Sequence, residues 1–174
     1  MKKLLCFLCA FTAAAGAFCS FGFAKAERQT ALTEGCKSAC LIDYDSGECV
    51  YKENEHVRMP IASVCKVMTL TLCLDAVESG ALSLDEKVYI SENASGMGGS
   101  QIFLENGHSY PLSELVKSIV VCSANDSCVA VAEKISGSED VFVARMNEKA
   151  AELGMDNTLF ANCTGLPKDT QYSC

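Results

Sequence analysis

One apolar segment, Ala62 to Ser79, constrains the fold of this chain more than any other feature. Pro60 precedes it and Gly80 closes it, and these two residue types favour boundaries at the start and the end of a helix. Between them, apolar side chains fall on nearly every side of a helix. They are Val64, Val67, Met68, Leu70, Leu72, Leu74, Ala76 and Val77. A helix that is apolar nearly all round is normally buried, so we predict a central buried helix here.

Shorter predicted elements surround this helix in sequence. Two β-type runs, Cys40 to Ile42 and Cys49 to Tyr51, flank a turn rich in Asp, Ser and Gly and predict a hairpin. A short strand is predicted within 84–90, before a Gly-rich loop at 95–100. Helices are predicted from Pro111 to Cys122, from Asp126 to Ser136, and after Ser138 with Phe142, Met146, Ala150 and Leu153 on one stripe. The elements form one α/β (α+β) arrangement.

The composition excludes some classes of function. The chain has 174 residues, of which 49% are hydrophobic and 21% charged, which is enough apolar material for one domain with a buried core. Its 14 Lys and Arg against 22 Asp and Glu give a net charge of −8, and the basic residues are scattered singly. Because a nucleic acid needs a positive stripe that follows its phosphates, we predict no nucleic-acid partner.

The N-terminus has the residue order of a secretory signal peptide. The basic head Met1-Lys2-Lys3 precedes an apolar run from Leu4 to Phe18, and small residues surround Ala24 and Ala26. We therefore assign 1–26 as a signal peptide that is cleaved after Ala24 or Ala26, and we expect the remaining chain to be secreted. No later stretch reaches the roughly 18 uninterrupted apolar residues of a membrane span.

The chain contains 12 cysteines, and removal of 1–26 would leave an odd number of nine. Four lie in apolar helical patterns, where a free thiol serves as a small hydrophobe. These are Cys65, Cys73, Cys122 and Cys128. Three others, Cys36, Cys40 and Cys49, lie near one another, which leaves disulfides as an open alternative. No zinc site is predicted, because His56 and His108 are isolated.

Ser63 and Lys66 form the single Ser-x-x-Lys sequence of the chain, at the start of the apolar helix. An offset of three residues places both side chains on the same helix face, within reach of each other. Burial disfavours a charged ammonium and so favours a lysine that acts as a base. The alternative is a helix cap followed by a Lys whose stem lies along apolar surface.

A second motif, Ser123-Ala124-Asn125, lies where two apolar helical segments are interrupted. A hydroxyl and a carboxamide that project into one cleft can relay a proton and bind a substrate amide. The structural alternative is a plain capping turn. A competing triplet, Ser91-Glu92-Asn93, follows a polar stretch, and we predict that it is a surface turn.

Four stretches of the chain, taken in order, resemble the low-molecular-weight penicillin-binding proteins, the serine-type D-alanyl-D-alanine carboxypeptidases. They are Arg58 to Thr69, Met97 to Glu105, Ser123 to Asp126 and Asn162 to Pro167. The resemblance covers Gly35 to Cys174, and the motifs together are far more specific than Ser-x-x-Lys alone. It implies a β-lactamase/transpeptidase-like fold, with an antiparallel sheet flanked by helices around a central nucleophile helix.

The resemblance also implies a role for each motif residue. Ser63 would be the nucleophile that forms an acyl ester, and Lys66 the base that takes its proton. Ser123 would help to pass that proton to the departing D-alanine, and Asn125 would hold the peptide stem. The implied substrate is the stem pentapeptide of peptidoglycan in a bacterial cell envelope, and β-lactam antibiotics are the implied inhibitors. Neither a cofactor nor a metal is implied.

The sequence departs from the family pattern at several cysteines and at the third motif. Cys65, Cys122 and Cys128 stand where the family commonly has small residues or Thr. Cys163 replaces a usual Pro, and the third motif, Lys-Thr-Gly or His-Thr-Gly, is absent before Cys174. We therefore expect 27–174 to be the N-terminal part of a carboxypeptidase domain with an incomplete sheet, and we expect this chain by itself not to release D-alanine. Membrane contact is expected only through a C-terminal tail that this chain lacks.

Two other functions stay open at this point. A class A β-lactamase shares both motifs but also carries a Glu-x-x-x-Asn deacylation motif, and none occurs between Asn125 and Cys174. A truncated, non-catalytic envelope homologue is favoured by the missing third motif and disfavoured by the intact Ser-x-x-Lys and Ser-x-Asn motifs.

Overall fold

The computed structural model describes residues 35–168 and 170–173, so the predicted signal peptide at 1–26 lies outside the described residues. The strands are β1 (Ala39–Ile42), β2 (Cys49–Glu53), β3 (Lys87–Tyr89) and β4 (Ser109–Pro111). The α-helices are α1 (Lys66–Glu78), α2 (Glu92–Ser95), α3 (Leu112–Cys122), α4 (Asn125–Ser136) and α5 (Glu139–Glu152). A 3₁₀ turn, Ala62–Cys65, leads directly into α1, so the predicted helix begins with a tighter turn.

The strands form two separate antiparallel pairs within the described residues. β1 pairs with β2, which confirms the predicted hairpin, and β3 pairs with β4. The strand predicted within 84–90 is present as β3, whereas β4 was not predicted. β4 has three residues, too few to show the alternation that marks a strand in a sequence.

The most deeply buried element is α4 rather than α1. Eight consecutive residues of α4, from Asn125 to Ala132, are buried, and α4 packs against α1, α2, α3 and α5. The residues are mainly Ser, Cys, Ala and Val, whose small side chains let several neighbouring helices approach closely. This small-residue segment has weak hydropathy, so the sequence pattern understates its burial.

Burial of α1 is confined to one face, which corrects the prediction of a helix covered on nearly all sides. Its buried residues are Lys66, Met68, Thr69, Leu72 and Cys73. The opposite face exposes apolar side chains at helical spacing: Val64 is 65% exposed, Val67 62% and Leu74 49%. The sequence pattern therefore identifies the helix but not the number of its packing partners.

The remaining helices follow the predicted patterns with local differences. Ser138 caps α5 by accepting a hydrogen bond from the backbone N–H of Val141, and the predicted stripe of Phe142, Met146 and Ala150 is buried. Leu153, predicted on the same stripe, is 58% exposed because it follows the last helical turn. α5 has 14 residues, and none of the helices in the described part of the chain is both long and apolar enough to cross a bilayer.

All eight cysteines in the described part of the chain are unpaired thiols. Cys65, Cys73, Cys128 and Cys163 are buried, whereas Cys122 is exposed and is not the core residue that its apolar pattern predicted. Burial raises the pKa of the Cys73 thiol to about 11 and that of the Cys128 thiol to about 12. The pKa of the Cys65 thiol is also raised by burial to about 12, although neighbouring Lys66 opposes the shift.

In the folded protein, Cys65, Cys73 and Cys128 should react with iodoacetamide far more slowly than the exposed Cys122. The thiolate is the reactive form, and a pKa raised by two to three units lowers the thiolate fraction near neutral pH by roughly a hundredfold or more. Timed alkylation followed by peptide mass mapping measures the rates. After denaturation without reductant, all three should label fully; equal rates in the folded state would contradict the burial of these thiols.

Candidate active site

Ser63 and Lys66 meet where the 3₁₀ turn passes into α1. Lys66 Nζ donates a hydrogen bond to Ser63 Oγ at 3.1 Å, so the side chains are in contact as their spacing predicts. Lys66 is 4% exposed, whereas Ser63 is exposed. A nucleophile must reach a substrate, while a base works best when it is shielded from bulk water. The arrangement satisfies both requirements.

A row of backbone carbonyls faces the start of α1. These carbonyls belong to 161–167, which we call the carbonyl loop. Lys66 Nζ donates to the Thr164 carbonyl at 2.6 Å, and the Thr69 hydroxyl donates to the Cys163 carbonyl at 2.7 Å. The Cys65 thiol donates to the Asn162 carbonyl at 3.2 Å. Three consecutive carbonyls therefore hold three side chains between Cys65 and Thr69.

Asn162 gives the carbonyl loop its shape. Its Oδ1 accepts hydrogen bonds from the backbone N–H of Thr164 at 3.1 Å and of Gly165 at 2.7 Å, and from the Thr164 hydroxyl at 3.2 Å. Its Nδ2 donates to the Leu166 carbonyl at 2.8 Å. Asn favours such local bonds to the backbone that follows it. The side chain is 5% exposed, and it satisfies backbone groups that a buried loop would otherwise leave unpaired.

Gly165 lets the carbonyl loop approach the backbone of Ala62 and Ser63 closely. Its φ is +83°, and a Cβ at this position would lie 1.9 Å from the Ala62 carbonyl oxygen and 3.0 Å from the Ser63 nitrogen. No side chain fits at those distances. Ala62 itself has a φ of +46°, which is uncommon outside glycine. The backbone on both sides of this contact is therefore closely constrained.

Ser123 occupies the break between α3 and α4. Its backbone is left-handed, with φ 55° and ψ 37°, which ends α3 and turns the chain toward α4. Its Oγ is buried and has no hydrogen-bond partner among the described residues. A buried hydroxyl without a partner is costly in a structural turn, which favours a role for this group with a bound molecule over a plain capping turn.

Asn125 is fixed by the Gly-rich loop. Its Nδ2 donates to the Gly98 carbonyl at 2.7 Å, and its backbone N–H donates to the Ser100 carbonyl at 2.7 Å. Asn125 is 3% exposed. The carboxamide is therefore held in one orientation at the first residue of α4.

Asp126 attaches the next part of that loop to the same helix start. Its carboxylate is buried and accepts hydrogen bonds from the backbone N–H of Ile102 and of Leu104, each at 3.1 Å. It also accepts from the N–H of Ser127 at 2.9 Å. An acidic group in the first turn of a helix is stabilised by the unpaired N–H groups there. The backbone of Ile102 and Leu104 is thereby anchored to the start of α4, next to Asn125.

The two motifs approach each other through the carbonyl loop. At one end Gly165 touches the backbone of Ala62, and at the other end Leu166 lies near Gly99. A Cβ on Gly99 would lie 3.6 Å from Leu166 Cδ2 and 2.8 Å from Asn125 Nδ2. Within the described residues, no hydrogen bond joins the Ser63–Lys66 pair to Ser123 or Asn125. The loop therefore bridges the motifs without direct bonding between them.

The competing triplet remains outside this site. Ser91 caps the short helix α2 by accepting a hydrogen bond from Ala94 N–H at 3.0 Å, and Glu92 and Asn93 are exposed. It lies at the surface as predicted, although it begins a helical turn. The contacts of Asn162 and Asp126 were not predicted, and the one local signal for Asn162 is an Asn placed just before a Thr-Gly turn.

The chain matches the family described as D-alanyl-D-alanine carboxypeptidase over residues 24–174. The chain belongs to this family. Among curated relatives, the D-alanyl-D-alanine carboxypeptidase DacF of Bacillus subtilis (strain 168) is 46% identical over 158 residues, which are 90% of this chain and 41% of DacF.

Solved structures of the family share the fold. The D-alanyl-D-alanine carboxypeptidase DacD from Francisella tularensis has a TM-score of 0.81 at 36% identity, over 84% of this chain and 36% of that chain. Penicillin-binding protein 5 from Haemophilus influenzae has a TM-score of 0.76 at 34% identity, over 78% of this chain and 40% of that chain. The predicted fold class is confirmed, and the chain spans about two fifths of the length of these relatives.

Gly165→Ala should destabilise the protein more than a matched glycine substitution. Gly107 has a φ of +81°, against +83° for Gly165, but a Cβ there would meet nothing within 4 Å. Both variants carry the cost of a positive φ, and only Gly165→Ala adds a clash, worth about 1–3 kcal/mol. Urea unfolding of both variants measures the difference. Equal losses of stability would show that the carbonyl loop does not need its close approach to Ala62.

Proposed function

We propose that this chain carries the acylation machinery of a serine-type D-alanyl-D-alanine carboxypeptidase, which removes the terminal D-alanine from peptidoglycan stem pentapeptides. The contact between Lys66 Nζ and Ser63 Oγ at 3.1 Å is the observation that carries this proposal. It pairs an exposed hydroxyl with a buried amine at the start of a helix, the arrangement required for an activated serine.

In the proposed reaction the Lys66 amine acts as the general base. It takes the proton of Ser63 Oγ as that oxygen attacks the carbonyl carbon of the penultimate D-alanine. The amide C–N bond then breaks, and the leaving amine of the terminal D-alanine takes up the proton. Water afterwards hydrolyses the ester and frees Ser63. The Ser63 backbone N–H, at the start of a helix, would supply one donor to the oxyanion.

Ser123 is proposed to act on the leaving group, and Asn125 is proposed to bind the substrate. The unpaired buried Oγ of Ser123 supports its role in passing the proton to the departing amine, because a hydroxyl can donate and accept at once. Asn125, oriented by the Gly98 carbonyl, would hold the stem peptide through its carboxamide. The proposed chemistry uses no cofactor and no metal.

The proposed setting is extracytoplasmic. The relatives are named as D-alanyl-D-alanine carboxypeptidases or penicillin-binding proteins, which supports a peptidoglycan substrate and inhibition by β-lactams for this chain. These names give no support to a β-lactamase or to a non-catalytic homologue. The scattered basic residues and the net charge of −8 support the absence of a nucleic-acid partner.

A labelled penicillin should attach covalently to Ser63 in the longest polypeptide that the locus encodes. Ser63→Ala should abolish the adduct, and Lys66→Ala should slow its formation by about 10²–10⁴, the usual contribution of a general base. Intact-protein mass spectrometry measures both. Lys117→Ala is the control, because Lys117 is exposed and pairs only with Glu114. An adduct that survives in Ser63→Ala would show that the nucleophile is another residue.

In the longest polypeptide that the locus encodes, Asn125→Ala should reduce release of D-alanine from an acyl-D-alanyl-D-alanine peptide, whereas Asn93→Ala should leave it within a few-fold of the parent. Removing a donor that binds at the reaction centre costs on the order of 10²–10³ in rate, and exposed Asn93 bonds only to Glu133. Circular dichroism checks the fold of both variants. Equal release of D-alanine by the two variants would show that Asn125 does not bind the substrate.

A further inference from the structure

Two exposed thiols lie against each other on the β1–β2 hairpin. The sulfur atoms of Cys40 and Cys49 are 3.6 Å apart, and both residues are exposed. Two cysteines on adjacent strands can be bridged when their side chains point to the same face at close range. The sulfurs need to approach by a further 1.5 Å or so to reach the roughly 2.05 Å of a disulfide bond.

A β-bulge places the two thiols on one face. Cys40 pairs with Lys52, Leu41 with Tyr51, and Ile42 with Cys49, so the register shifts after Leu41. In a regular ladder Cys49 would share the face of Tyr51, opposite to Cys40, because successive side chains alternate. The extra residue of the bulge reverses this relation and brings Cys49 to the face of Cys40.

The hairpin has little packing of its own to hold it. Three of the four residues of β1 and three of the five of β2 are exposed. Isolated two-stranded hairpins are at best marginally stable in water. The bonds that close the turn are local ones, from the backbone N–H and hydroxyl of Ser46 to the Asp43 carboxylate at 2.9 and 2.6 Å. A covalent link between the strands would therefore stabilise a hairpin that has little packing of its own.

We propose that Cys40 and Cys49 form a reversible disulfide that joins the two strands of this hairpin. The oxidant is a disulfide supplied from outside the protein, either a small molecule or a thiol oxidoreductase. The site is independent of the chemistry proposed at Ser63. Cys40 and Cys49 are exposed to an external disulfide, whereas the thiols of Cys65, Cys128 and Cys163 are buried in the folded state.

The exchange proceeds in two balanced steps. The Cys49 thiolate attacks one sulfur of the external disulfide, forms a mixed disulfide and releases one thiolate. The Cys40 thiol then loses its proton, attacks the Cys49 sulfur and releases the second thiolate. Two protein thiols are oxidised, and one external disulfide is reduced to two thiols. Cys40 is assigned the second attack because the pKa of its thiol is raised, chiefly by its hydrogen bond with Cys49.

The chain offers a direct mass-spectrometric test. Trypsin cleaves after Lys37 and Lys52, which puts Cys40 and Cys49 in one peptide and Cys36 in another. The full chain is equilibrated in a buffer of reduced and oxidised glutathione, alkylated, denatured and digested. We expect peptide 38–52 to have lost two hydrogens and to carry no alkyl group. Cleavage after Glu48, which lies between the two cysteines, should leave its halves joined.

Single substitutions distinguish this pair from the neighbouring thiol. Cys36→Ser should keep the linkage, whereas Cys40→Ser and Cys49→Ser should each remove it. The Cys40–Cys49 linkage should exceed any linkage to Cys36 by at least about tenfold at equilibrium, a difference of roughly 30 mV for a two-electron couple. Amide hydrogen exchange should slow in 39–53 on oxidation and stay unchanged in α4.

Three results would overturn the proposal. One is full alkylation of Cys40 and Cys49 under oxidising glutathione. Another is a set of linkages shared evenly among Cys36, Cys40 and Cys49, which would show unselective oxidation of a flexible segment. The third is a stable glutathione adduct on each thiol without an internal bond, which would show that the sulfurs do not meet in solution.

Discussion

Three consecutive backbone carbonyls of the carbonyl loop accept hydrogen bonds from the side chains of Cys65, Lys66 and Thr69, and the geometry of the candidate site depends on this row. The Thr164 carbonyl holds Lys66 Nζ at 2.6 Å, in addition to the contact of Nζ with Ser63 Oγ. A lysine has four rotatable bonds, so without this second contact its position beside Ser63 would be one rotamer among many. The hydrogen bond to this row of carbonyls holds the Lys66 side chain in one orientation.

The same row explains why residues with no chemical role of their own are required. Asn162 shapes the loop through its carboxamide, and Gly165 allows the loop to reach the backbone of Ala62. The Thr69 hydroxyl and the Cys65 thiol complete the attachment. Substitution at any of these positions would act on the Ser63–Lys66 pair through the loop, since each holds a carbonyl or the backbone beside it. They are positioning residues.

On the other side of the site, α4 supplies rigidity. Its buried small residues let four helices pack around it, and its first turn carries Asn125 and Asp126. Asp126 attaches the 102–104 backbone to that turn, so the Gly-rich loop is held although it contains several glycines. By contrast, the β1–β2 hairpin is largely exposed and depends on local contacts, to which the proposed disulfide would add a covalent link. The helices around α4 are thus stabilised by packing, and the β1–β2 hairpin by local contacts.

Local features of this chain were predictable from its sequence because they depend on residues a few positions apart. The hairpin, the helices after Pro111 and Ser138, and the contact of Ser63 with Lys66 arise from turn chemistry, capping and helical periodicity. The family followed from four motif stretches that were read together. The strand β4 was too short to show a pattern, and the small residues of α4 concealed its burial.

The tertiary structure decided the contacts between distant residues. Lys66 and Thr164 are 98 positions apart, and their bond depends on the path of the whole chain, which no local pattern encodes. The same holds for the exposed face of α1, since a helical pattern shows which side chains are apolar but not which neighbours are present to cover them. The β-bulge that brings Cys49 beside Cys40 is a similar case. A shift of one residue in register reverses the face of a side chain, and only the paired strands show which register is formed.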